Sequence, residues 1–74
     1  MNTTLELKNN IRKFRQEKGI SQTQLAELVG TTQNTISSIE TGAYSPSAFL
    51  SGLIATALEK KWEEVFYYVK KEGK

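Results

Sequence analysis

The chain contains no cysteine and no histidine. The first absence excludes disulfides and thiolate metal sites. The second leaves general-base chemistry at neutral pH to a strongly shifted carboxylate or lysine, and metal binding to carboxylates alone. No glycine-rich phosphate loop is present, and Glu63 and Glu64, adjacent in sequence, point apart on a helix and read as solvated charge. An enzyme is therefore disfavoured, and no metal or cofactor is expected. Long apolar runs are missing too. The most apolar stretch, Phe49 to Leu58, carries Ser51, Gly52 and Thr56, and is well short of the about 20 residues that span a bilayer. Met1 to Glu6 lacks the basic and then apolar pattern of a secretory signal. These absences lead to the expectation of a soluble, cytoplasmic protein.

Basic residues are missing from one region in particular. The formal net charge is +2, but no lysine or arginine occurs between Gly19 and Glu59. Lys8, Arg12, Lys13, Arg15 and Lys18 crowd the first part, and Lys60, Lys61, Lys70, Lys71 and Lys74 the last. Such clusters fit solvated helix faces as well as a nucleic-acid footprint. With 74 residues, the chain is expected to form one domain near the lower size limit for unaided folding, and such cores often gain stability by oligomerising. A homodimer is the expected state. There is no room for a ligand-sensing domain, so no small-molecule ligand is expected.

Glycines and a serine–proline stretch divide what is there into short helices. The first is expected from Asn10 to Lys18 with Asn9 as N-cap, and Leu7, Ile11 and Phe14 form its inward stripe. Ser21 opens the second, with Gln24 completing a capping box and Gly30 ending it. Thr32 caps the third, Gln33 to Thr41, which Ile36 and Ile39 anchor and Gly42 closes. Ser47 caps a fourth helix to about Leu58, and a short fifth lies near Trp62 to Val65. The ends admit two readings. Thr3 to Lys8 and Val65 to Val69 could pair as a two-stranded ribbon, whereas Trp62, Val65, Phe66 and Val69 also fit a helical stripe. The ribbon is preferred.

The second and third helices flank the tight turn Gly30-Thr31-Thr32, which is helix-turn-helix spacing. The segment "ISQTQLAELVGTTQNTISSIETG", residues 20–42, resembles the Cro/CI-type (XRE) helix-turn-helix family, and its "GTTQNT" is especially similar to lambdoid phage repressors. Gln22, Leu25-Ala26, Gly30, Ile36, Ile39, Glu40 and Gly42 carry the pattern, and a looser likeness spans Asn9 to Phe66. The resemblance implies an all-α, five-helix domain of the lambda-repressor type, with or without the terminal ribbon. Its function would be sequence-specific binding of double-stranded DNA as a transcriptional regulator, with repression the expected mode, through the helix-turn-helix at residues 21–41.

By position, the resemblance assigns base reading to Gln33, Asn34, Ser37 and Ser38, and phosphate contacts to Gln22, Thr32, Thr41 and Tyr44. The chemistry agrees: glutamine and asparagine amides match the N7 and N6 of adenine, so a two-fold operator with adenine-containing half-sites is expected. Two helix N-termini supply N–H groups and partial positive charge in place of local lysines. The family's frequent basic residue after Gly42 is here Ala43, which implies a shallow salt dependence. Resemblance also implies an ion pair between Arg15 and Glu40, each one helical turn beyond a buried isoleucine. In the fourth helix, Ala48 and Gly52 stand where relatives carry bulky apolar residues, and Phe49 and Leu53 where they carry polar ones. Either the core face is rotated, or Phe49, Leu53 and Trp62 form a dimer contact. The competing function is a protein-interaction module that keeps the fold without binding an operator.

Overall fold

The computed structural model describes residues 3–72. Five helices are arranged in the order α1 (Ile11–Lys18), α2 (Gln22–Val29), α3 (Gln33–Thr41), α4 (Ala48–Ala57) and α5 (Trp62–Val65). They are bracketed by strands β1 (Thr3–Asn9) and β2 (Phe66–Glu72). The strands pair antiparallel, from Asn9 opposite Phe66 to Thr3 opposite Glu72.

The competition at the C-terminal end is decided at Phe66, whose backbone is extended at φ −118° and ψ 142°. The run that follows is aromatic and β-branched, a composition suited to a pleated, half-buried surface. Leu7 consequently lies in β1 and not on the first helix; its spacing from Ile11 and Phe14 coincided with a helical stripe. It still packs against the core, together with Phe14. The first helix also begins one residue later than expected. Asn10 is its N-cap and makes no side-chain cap bond. Instead Asn9 Oδ1 accepts from the Ile11 N–H at 3.2 Å.

The remaining boundaries follow local chemistry. Ser21 Oγ accepts from Gln24 N at 3.0 Å, and Gln24 Oε1 accepts from Ser21 N at 2.8 Å, a reciprocal cap of the kind worth about 0.5–2 kcal/mol. At the other end of α2, Gly30 takes φ +78°. That left-handed turn lets Thr31 N reach Ala26 O at 2.9 Å and starts α3 within two residues. Thr32 caps α3 by accepting from Thr35 N at 3.2 Å, and Ser47 caps α4 by accepting from Leu50 N at 3.1 Å.

The core is one cluster, centred on Ile11, Leu25, Ile36, Ile39, Ile54 and Phe66, all essentially inaccessible. Full burial of each such side chain contributes about 1.5–3 kcal/mol. On α4 the buried positions are Ser51, Ile54 and Ala55, so the inward face does not run through Ala48 and Gly52. Trp62 stacks on Phe66 with centroids 5.3 Å apart, and its Nε1 donates to Ser51 Oγ at 2.8 Å. Among the described residues, no helix is long and apolar enough to cross a membrane.

Candidate nucleic-acid interface

Because α2 ends on a left-handed glycine and α3 starts at once, the helices cross with their N-terminal ends close together. One bond measures that closeness: Gln33 Nε2, in the first turn of α3, donates to Gln22 Oε1, in the first turn of α2, at 2.6 Å. The two caps use only one N–H per helix, and the other first-turn amides have no intrahelical acceptor by geometry. Both helix ends therefore present N–H groups and partial positive charge on one side of the molecule. Gln33 and Asn34 are exposed there, while Ser37 and Ser38 are half-buried further along α3.

The hydroxyls assigned to phosphate are less free. Thr32 Oγ1 is engaged by its cap and lies 3.0 Å from Thr35 Oγ1. Thr41 Oγ1 donates to Ser38 O at 3.1 Å, so a phosphate contact needs that hydrogen to turn outward. Tyr44 has an exposed ring, and its backbone N–H is tied to Ser38 O at 3.1 Å. That bond folds the post-α3 loop against the end of the helix.

Arg15 and Glu40 meet. Arg15 Nε donates to Glu40 Oε2 at 2.9 Å and Nη2 to Oε1 at 3.3 Å, while Nη1 donates to Ile20 O at 3.0 Å. The side chains are 11 % and 6 % exposed. Glu40 Oε1 also accepts from Gln22 Nε2 at 3.0 Å. This carboxylate, bound from two helices, offsets its own desolvation with three hydrogen bonds. It faces inward and places no bare negative charge on the presented side.

Asn9 has a second role that sequence reasoning missed. Its Nδ2 donates to Ile39 O at 2.9 Å, near the C-terminal end of α3. One amide thus pins both the start of α1 and the end of the presented helix. Nothing local signals this, because the acceptor is 30 positions away.

The basic residues sort themselves by partner. Lys18 is bonded to Glu59, and Lys60 Nζ lies 4.8 Å from the Phe14 ring centroid. Lys8 and Lys71 both lie near Glu6, at 3.6 and 3.3 Å. Arg12 takes part in no ion pair among the described residues. With Lys13 it borders an open groove of about 640 Å³ that also touches Gln22, Glu40 and Thr41. The basic side of α1 therefore adjoins the ends of α2 and α3.

Of the residues expected at a dimer contact, Phe49 and Leu53 lie one turn apart on α4, and Trp62 is not brought beside them. Phe49 is 78 % exposed, and Leu53, one turn on, packs partly against the core. Ser51 stands about 200° around α4 from each, at 100° per residue, and the Trp62 indole is bonded to it. Trp62 thus lies on the other side of α4.

Comparisons with known proteins agree with this geometry. A family model described as helix-turn-helix matches residues 11–65. An uncharacterized HTH-type transcriptional regulator of Methanothermobacter thermautotrophicus is 43 % identical over 63 residues, covering 85 % of this chain and 91 % of that protein. The Bacillus subtilis regulator YgzD is 41 % identical over 61 residues, covering 82 % and 92 %. Among solved structures, the restriction-modification controller protein C.AhdI of Aeromonas hydrophila superposes with a TM-score of 0.70 at 33 % identity, over 73 % of this chain and 82 % of that one. A putative DNA-binding protein of Bacteroides fragilis gives 0.75 at 26 % identity, over 82 % and 98 %. The chain belongs to the XRE-type helix-turn-helix family of DNA-binding transcriptional regulators.

Proposed function

We propose that the whole chain acts as one operator-binding unit, a small dimeric repressor that inserts α3 into the major groove. The observation that carries this reading is the Gln22–Gln33 bond, which sets two helix N-termini and two exposed amide side chains on one side. Gln33 and Asn34 read base edges, with Ser37 and Ser38 contributing further along the helix. Gln22 keeps one amide hydrogen for a phosphate, the N-terminal amides of α2 and α3 supply others, and Tyr44 and a reoriented Thr41 add hydroxyls. Thr32 serves mainly through its cap. Neutral groups commonly make such backbone contacts.

Arg12, which with Lys13 lines the groove shared with Gln22 and Thr41, supplies a cation there. Each neutralised phosphate adds about 0.9 to the logarithmic salt slope, so the slope is shallow. The operator is two-fold symmetric, with adenine-containing half-sites about 34 Å apart. Phe49 and Leu53 supply the contact between copies, and Trp62 supports the fold behind it.

A mobility-shift assay on duplexes selected from a random pool tests the reading. The wild type retards the selected duplex, and Gln33→Ala/Asn34→Ala loses selectivity while remaining helical. A wild type that selects no sequence would favour a protein-interaction module. For the dimer, sedimentation of Phe49→Glu should give a folded monomer, and a persistent dimer places the contact elsewhere.

A further inference from the structure

The bonds around Glu40 run in one direction, and that direction reaches the reading face. A carboxylate only accepts hydrogen bonds. Glu40 Oε1 therefore obliges Gln22 to turn its nitrogen inward, where Nε2 donates at 3.0 Å. The Gln22 carbonyl oxygen is left pointing toward α3. That oxygen also only accepts, and Gln33 Nε2 donates to it at 2.6 Å. Arg15, which only donates, closes the inner end by binding both Glu40 oxygens. The chain Arg15–Glu40–Gln22–Gln33 thus has a fixed polarity, set by two charged groups that cannot reverse their roles.

The consequence falls on Gln33. One of its two amide hydrogens is held by Gln22, so it offers a base one N–H and one carbonyl oxygen. Adenine presents one acceptor, N7, and one donor, the N6 amino group, in the major groove; guanine presents two acceptors, N7 and O6. The restrained amide matches adenine. To serve both guanine acceptors it would have to give up its bond to Gln22.

Resting on the base-reading role of Gln33 given above, we propose that Glu40 is a specificity-determining positioning residue. It touches no base. Through Gln22 it fixes the amide of Gln33 and so selects adenine over guanine at one operator position. Two substitutions alter the restraint in different ways. Gln22→Met keeps the length of the side chain but frees both Gln33 hydrogens. Glu40→Gln leaves a carbonyl for Arg15 and turns an NH2 toward Gln22, so the chain can run backwards and push the Gln33 NH2 outward. The first relaxes the preference, and the second moves it toward guanine.

The test is sequencing of duplexes bound from a random pool by the wild type, Gln33→Ala, Gln22→Met and Glu40→Gln, with circular dichroism to establish folding. The position read by Gln33 is the one whose preference disappears in Gln33→Ala. There the wild type should favour adenine over guanine by about tenfold or more. Gln22→Met should bring the ratio within about threefold, with preferences at other positions kept, and a folded Glu40→Gln should lower or reverse it. A merely structural role for Glu40 would weaken binding to all sequences alike. Folded Gln22→Met with the wild-type ratio overturns the proposal while leaving base reading intact, and decides the matter even if Glu40→Gln does not fold. If Gln33→Ala erases no preference, the base-reading assignment falls and takes this proposal with it.

Discussion

The ion pair between α1 and α3 and those around the ribbon and α4 each join a glutamate to a basic residue, arginine in the first and lysine in the others, and they do different things. Arg15 and Glu40 are largely withdrawn from water and hydrogen-bonded at every approach. Glu6 sits between Lys8 and Lys71 on the open ribbon, and Glu59 is bonded to Lys18 at the end of α4. Exposed pairs are screened and contribute little to stability. Withdrawn ones are costly to break, because the surviving partner keeps its charge without water. Only the first pair, among the described residues, is also hydrogen-bonded to further groups around it, the Ile20 carbonyl and the Gln22 amide.

Glu40→Ala should have the largest effect. It strands Arg15 and releases Gln22, and a loss of about 3–5 kcal/mol is expected for one partner of a buried pair, read by chemical denaturation. An unchanged midpoint would place this pair with the exposed ones. Asn9→Ala comes next: it removes two hydrogen bonds of ordinary strength, and a loss of about 1–2 kcal/mol is expected. Amide exchange at the end of α3 should rise more than at the end of α2.

The smallest effects belong to the exposed carboxylates. The hydrogen bond from Lys71 is the main cause holding Glu6 below the usual carboxylate range, and that from Lys18 does the same for Glu59. A carboxylate lowered in the folded state contributes stability above its ordinary range, and that contribution disappears as pH falls through the lowered value. Carboxylate NMR titration should therefore show both midpoints depressed. Lys71→Met should return Glu6 upward while leaving Glu59 and the melting temperature in place. A large drop in melting temperature would show that the ribbon pair resembles the buried one.

What could be read before folding divides along a similar line. The caps at Ser21, Thr32 and Ser47 and the stop at Gly30 were legible because each partner lies within a few positions. Burial of Ile36 and Ile39 followed from helical spacing. The ribbon was legible only as one of two alternatives, since Val65 to Val69 satisfies both a strand composition and a helical stripe. Local pattern puts the cap at Asn9, one residue before the observed Asn10, and the bond from Asn9 to Ile39 O depends on a fold no local pattern contains. Large apolar character alone groups Trp62 with Phe49 and Leu53. Its indole N–H finds Ser51, and that polar contact sends the ring to the opposite face.

The register of the ribbon has a kinetic consequence. Its strands are the first and last elements of the described chain, so pairing them in an unfolded chain would close a loop of nearly the full length. Packing of the helices removes that cost: Asn10 N already meets Val65 O at 2.8 Å, immediately beside the Asn9–Phe66 pair. The strands should then zip from this anchored end outward, as the last element to form. On unfolding they should part from the other end, with amides near the Thr4–Lys71 pair exchanging first and those beside Phe66 last.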